Sequence, residues 1–166
     1  MDATNESVTN ATKNPTKVER KADREIVVTR TLNGPARVVF EAWTKPELFQ
    51  RWWVPKSLGL VVLSYEADVR VGGTYKLVFA AKGGEMAFFG KYLEVTPYSR
   101  LAWTNEEGGP DGQVTTVTFE EKGGKTLLVL TELFPSKEAR DAAMASGAYD
   151  GMGETFDQLE GIVTSA

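Results

Sequence analysis

The sequence predicts an α+β domain in which a curved antiparallel sheet of about six or seven strands wraps a long C-terminal helix. Three observations carry that prediction. From Glu25 onward most segments alternate apolar and polar residues, and Gly-rich turns too short for parallel crossovers join them. One interruption, between Pro35 and Trp53, has helical spacing. At the end of the chain the period changes again, and Ala148, Met152, Thr155, Phe156, Leu159, Ile162 and Val163 fall on one helical stripe.

The elements follow in order. Residues 1–22 are rich in Asn, Thr, Lys and Ala without an apolar period, which predicts a disordered tail before a folded domain over 23–166. Glu25 to Leu32 is rich in β-branched residues and reads as the first strand. Asn33-Gly34-Pro35 breaks it, and Pro35 suits the first turn of a helix because that position needs no N–H. Ala36, Val39, Phe40 and Trp43 then give a short amphipathic helix, and a second one runs from Pro46 to about Trp53. Val61, Leu63, Tyr65, Ala67 and Val69 are expected on one face of a strand, and Tyr75, Leu77, Phe79 and Ala81 on one face of the next. Strands over Met86 to Thr96, Leu101 to Asn105, Val114 to Glu121 and Thr126 to Leu133 follow. Ser136 is placed to cap a helix, and Gly147 to interrupt it.

Composition bounds the chemistry. The chain has 166 residues, 42% hydrophobic and 25% charged, which suits one globular domain. A domain of that size buries roughly 70% of the surface its unfolded chain exposes, so a core forms without staples. Cys and His are both absent. Thiolate nucleophiles, disulfides, imidazole catalysis and histidine metal sites are therefore excluded, and no metal site or cofactor is expected. The net charge of −4 opposes phosphate backbones, so nucleic acid is not an expected partner. No apolar run reaches the length of a membrane span, and no basic-then-apolar leader is visible, so the expected location is cytoplasmic. The matches to the glycosylation pattern at Asn5 and Asn10 then carry no weight.

The order of elements implies a cavity. A helix is about 10 Å wide, whereas strands stand about 4.8 Å apart, so one helix covers only part of such a sheet. The two short helices, with Trp43, Trp52 and Trp53, can plug one end. Aromatic residues on the presumed inner faces either fill the remaining space or line it.

The chain resembles the SRPBCC (START-like, helix-grip) superfamily, in the branch of homologues of the activator of heat-shock protein 90 ATPase. The resemblance runs from about Arg24 to Val163. It rests on Gly34-Pro35-Ala36-Arg37-Val38-Val39-Phe40-Glu41-Ala42-Trp43-Thr44, Trp52-Trp53, Asp68-Val69-Arg70-Val71-Gly72-Gly73-Thr74-Tyr75, Gly90-Lys91-Tyr92-Leu93-Glu94-Val95, Arg100-Leu101 and Thr115-Thr116-Val117-Thr118-Phe119. It implies a helix-grip fold, and no universal catalytic residue comes with it. The chain departs from the branch at Met152, where a Trp is often found, and this bears on ligand preference.

The expected function is binding of a small hydrophobic or amphipathic molecule (a lipid, polyketide or aromatic metabolite) between sheet and terminal helix. The residues expected to touch it are Trp52, Trp53, Tyr75, Phe79, Tyr92, Trp103, Asn105, Thr115, Met152 and Phe156. Adjacent tryptophans on a helix point about 100° apart, so Trp52 and Trp53 are expected to divide between core and pocket entrance. Thr131 and Gln158 are further polar candidates for orienting a ligand, and Asp68 with Arg70 reads as a solvated ion pair at a strand end. One alternative is a small cyclase- or hydrolase-type enzyme working through Tyr92 or a buried carboxylate among Glu132, Glu154 and Asp157, although no catalytic residue can be assigned. A second, implied by the resemblance alone, is a module acting on a chaperone, heat-shock protein 90, in a stress response. A homodimer is the remaining partner left open.

Overall fold

The alternating segments pair into one antiparallel sheet. The computed structural model describes residues 14–107, 109 and 112–166. Its strands are β1 (Lys17–Arg20), β2 (Glu25–Leu32), β3 (Val61–Ala67), β4 (Thr74–Ala81), β5 (Gly84–Thr96), β6 (Arg100–Asn105), β7 (Gln113–Lys122) and β8 (Lys125–Leu133). Its helices are α1 (Ala36–Thr44), α2 (Pro46–Phe49), α3 (Lys137–Ala145) and α4 (Met152–Thr164), with a 3-10 turn at Lys56–Leu58. The strand order is β1-β2-β8-β7-β6-β5-β4-β3. The chain therefore leaves the sheet after β2, crosses through α1 and α2, and re-enters at the opposite edge.

Among the described residues the sheet has eight strands, one more than the upper expectation. The addition is β1, which pairs Val18 with Val28 and Arg20 with Ile26 inside the segment expected to be disordered. That expectation is corrected for Lys17–Arg20, and residues 1–13 lie outside the described residues. The pattern was silent because β1 is polar, mostly exposed and held by its ladder rather than by a buried face.

Directly opposed residues share a face. One cross-strand row on the inner face runs Ile26, Glu132, Thr115, Trp103, Tyr92. The next runs Val28, Leu130, Val117, Leu101, all of them buried. Phe156, Leu159 and Val163 of α4 are buried as well and join these residues in one core. Each such side chain contributes about 1.5–3 kcal/mol by leaving water. The apolar face of α1 (Ala36, Val39, Phe40, Trp43) is buried as its spacing requires. The Ala36 N–H at its start donates to Glu121 Oε1 at 2.9 Å.

Local chemistry bends the sheet around this core. The first part of β5 pairs with β4, from Gly84 to Lys91, and its last part pairs with β6 from Tyr92 onward. Gly90 stands at the change of partner, where a Cβ would collide with the Thr104 carbonyl. A glycine is thus required by close backbone approach. In β3 a bulge between Val62 and Ser64 breaks the alternation. Tyr65 and Ala67 face inward half-buried, while Val61 and Leu63, expected on the same face, are exposed.

The C-terminal stretch is two helices rather than one long one. The Ser136 hydroxyl caps α3 by accepting from the Ala139 N–H at 3.1 Å. Gly147 (φ 79°) takes the left-handed conformation that ends α3, and α4 begins after a short turn. Buried Arg30 of β2 pins α4 to the sheet, donating to Asp157 Oδ1 at 2.9 Å and Glu160 Oε1 at 3.3 Å. The Glu160 carboxylate also accepts the Asn33 N–H at 2.7 Å. Among the described residues no helix is long and apolar enough to cross a membrane.

Candidate ligand-binding cavity

Between the inner face of the sheet and the helices lies a cavity of about 500 Å³. Tyr65, Tyr75, Leu77, Phe88 and Tyr92 of β3–β5 form one wall, and Trp103, Leu130 and Glu132 of β6 and β8 form another. Trp43 and Phe49 close it from α1 and α2. Trp53, Pro55 and Leu58 line it from the loop after α2, while Tyr149, Met152 and Thr155 line it from the α3–α4 turn and α4. The volume lies within the range typical of small-molecule sites, about 300–1,000 Å³.

Two side chains of α4 fix the loop that borders the cavity. Gln158 Nε2 donates to the Trp52 and Val54 carbonyls at 2.8 and 2.9 Å, and its oxygen accepts the Lys56 N–H at 2.8 Å. Glu154 accepts the backbone N–H of Ser57 at 2.9 Å and also its hydroxyl. The hydrogen bonds from Ser57 hold the Glu154 carboxyl below the ordinary carboxylate range. Both residues are thereby committed to the protein's own backbone, which corrects their expected roles as ligand-orienting amide and general base.

The polar groups of the wall are connected. Tyr75 donates to the Thr104 carbonyl at 2.6 Å, and the Tyr65 and Tyr92 hydroxyls are hydrogen-bonded to each other. Asn105 Nδ2 donates to Thr115 Oγ1 at 2.7 Å, and the Thr115 hydroxyl lies 3.3 Å from Glu132 Oε1. Burial pushes the hydroxyls of Tyr65, Tyr75 and Tyr92 up, so all three are neutral at physiological pH. Burial pushes the Glu132 carboxyl from its ordinary 4.5 up to about 7, against the hydrogen bonds from Thr115 and Gln113, and the Glu107 charge adds to the rise.

The model of the family described as activator of Hsp90 ATPase homolog 1-like protein matches residues 33–164. This chain belongs to that family. Solved structures agree. A Chromobacterium violaceum protein is 30% identical, with a TM-score of 0.72 over 86% of this chain and 98% of that one. A Nitrosomonas europaea protein is 25% identical, with a TM-score of 0.78 over 88% of this chain and 97% of its own. An AHSA1-like protein from Aeromonas hydrophila, at 22% identity, shares the fold with a TM-score of 0.67 over 85% and 92% of the two chains. No curated protein matches the sequence. The SRPBCC helix-grip architecture expected from the motifs is thus the one the chain adopts.

Within this AHSA1-like frame, Trp53, Tyr75, Tyr92, Trp103, Asn105 and Met152 all border the cavity. Four other candidates do not. Trp52 is wholly buried and donates its indole N–H to the Ala42 carbonyl at 3.0 Å. Phe156 is wholly buried against Trp43 and Trp52. Phe79 has the inward parity of Tyr75 and Leu77 but packs on Phe88, 5.4 Å between ring centres, beyond the cavity. Thr115 is screened from the cavity by its two hydrogen-bond partners. Thr131 has the opposite parity to Glu132, and Asp157 is paired with Arg30. Asp68 and Arg70 form an exposed pair at 2.8 Å, away from the cavity.

Sequence reasoning missed Trp43, Phe49, Tyr149 and Gln113 as lining residues. Gln113 shared a register signal with Asn105, its direct partner across β6 and β7. The other three depend on how helices and turns dock, which no local pattern reports.

Glu132 should leave a signature in stability. Between about pH 4.5 and 7 the unfolded chain ionises this carboxyl while the folded chain keeps it protonated. The stabilisation is fully present below the lower value and is lost as pH rises through the upper one. Glu132→Gln should therefore gain stability relative to the wild type as pH rises across that window, with no further change above it. Urea titrations at several pH values read the difference, and a constant offset would remove Glu132 as the source.

Proposed function

We propose that this AHSA1-like protein binds a small amphipathic molecule in the space between its sheet and its terminal helices. One observation carries this reading: the inner face stays open over about 500 Å³ although aromatic side chains surround it. A chain with this many rings could have filled that volume, and unfilled apolar space lacks the contacts that packing would supply. The fold supports the same reading, and the apolar walls with a few connected polar groups have the character of ligand pockets. A chaperone partner rests on the family description alone. An enzymatic reading has Glu132 as its one raised carboxyl among the described lining residues.

The test is titration with N-phenyl-1-naphthylamine, a neutral apolar fluorophore, read by energy transfer from Trp53 and Trp103. Saturable binding at one site is expected. Ala143→Trp, which places an indole at the α3 wall, should weaken it by about tenfold or more, or 1.4 kcal/mol. Binding that does not saturate, or that the blocking substitution leaves unchanged, sinks the reading.

A further inference from the structure

The cavity has a chemical polarity that its apolar walls conceal. Its charged lining residues among those described are Glu107, Glu132 and Asp150, with neither Lys nor Arg. Several hydrogen-bond donors at the wall are turned onto protein acceptors. Tyr75 gives its proton to Thr104, Asn105 to Thr115, and both Thr115 and Gln113 to Glu132. The indole N–H of Trp43 lacks an acceptor but is itself sealed from solvent. The run from Asn105 through Thr115 goes one way and ends on the Glu132 carboxyl. Once ionised, that group has about four acceptor sites, and Thr115 and Gln113 occupy two of them.

Register puts Glu132 where a ligand would meet it. It shares the inner-face row with Trp103 and Tyr92, both at the cavity, and Leu130 lies two positions away on the same face. A ligand lying along the aromatic wall thus places one end against a carboxyl that is anionic and rich in acceptors once ionised.

We propose, resting on the ligand-binding reading, that the cavity selects amphipaths whose polar end donates hydrogen bonds to Glu132, protonated amines above all, and rejects carboxylate-ended ones such as fatty acids. An ammonium carries three donors and no acceptor. It supplies the opposite charge that the lining lacks, and it favours the ionised form of Glu132 that burial alone disfavours. A carboxylate brings a further negative charge beside Glu132 and finds no cation to offset its lost hydration.

The experiment displaces N-phenyl-1-naphthylamine from the intact protein with decylamine, decanol and decanoate, which differ only at the head. The expected order of affinity is amine, then alcohol, then carboxylate, with about tenfold or more between the extremes. Glu132→Gln should compress the amine-to-carboxylate ratio by about tenfold. Decanoate binding as tightly as decylamine, or a ratio insensitive to the substitution, overturns the proposal while the ligand-binding reading stands. Failure of the fluorophore itself to bind overturns both. If Glu132→Gln does not fold, Thr115→Val, which removes the donor beside the carboxylate, should shift the same ratio, and an unshifted ratio overturns the proposal.

Discussion

Trp43→Ala is expected to destabilise the fold by about 3–5 kcal/mol, the range for truncating a buried aromatic. Trp43 is 2% exposed and is the hub of the aromatic cluster. Its ring lies within 4.7–6.4 Å, centre to centre, of Phe49, Trp52, Trp53, Trp103, Phe119 and Phe156. Those six rings come from four places in the chain: α2 and the loop after it, β6, β7 and α4. Removing the indole leaves a void that no single element can close, since the rings around it come from separate elements. Trp43 also borders the cavity, so the void joins it and exposes the cluster. The midpoint of urea unfolding should fall with little change in slope. Trp43→Phe should lose much less. It keeps a ring and deletes an indole N–H that finds no partner, and a buried unpaired donor costs about 1–3 kcal/mol. A loss below about 1 kcal/mol in the alanine variant would show that the cluster does not depend on this ring.

Much of this architecture was legible because strands announce themselves by parity. The alternation from Glu25 to Leu133 placed Tyr75, Tyr92, Trp103 and Asn105 on the inner face, and all four border the cavity. Parity names a face and says nothing about depth along it. Phe79 has the right face and lies too far along the strand, and Thr115 lies in the right row beneath its own hydrogen-bond partners. Where the ladder is irregular the signal fails, as at the bulge that exposes Leu63. On the helices the stripe of Met152, Thr155, Phe156 and Leu159 was visible, but the division of that stripe between core and cavity depends on docking angle. Glu154 and Gln158 show another limit. They were expected to meet a ligand or a proton, and only the return of the loop at Trp52 to Ser57 gives them backbone groups to hold. Glu132 was recognisable as one of three carboxylates that could act if buried, whereas its shift to about 7 arises from surroundings contributed by β7 and the residues near Glu107.

Replacing Arg30 by methionine should destabilise the protein by about 3–5 kcal/mol, the cost of leaving buried charge without its partner. The Arg30 side chain is 1% exposed and that of Glu160 8%. With Asp157 they hold α4 against β2, and Arg30 Nη1 also donates to Thr16 Oγ1 at 2.8 Å, so the strap before β1 shares the same anchor. Methionine fills much of the volume with flexible apolar atoms, so the loss would come from electrostatics more than from a void. Without the guanidinium, the Glu160 carboxylate keeps the Asn33 N–H as a partner but has no opposite charge. The double variant Arg30→Met with Glu160→Gln tests that account. It removes the unpaired buried charge, and a buried ion pair replaced as a unit is often close to neutral. The double variant should therefore recover much of what Arg30→Met loses, with a coupling energy of about 1–3 kcal/mol between the two sites. A double variant as unstable as the sum of the two single ones would mean that Arg30 contributes packing and not charge. The helix stripe of Phe156, Leu159 and Val163 would then be what holds α4 over the cavity.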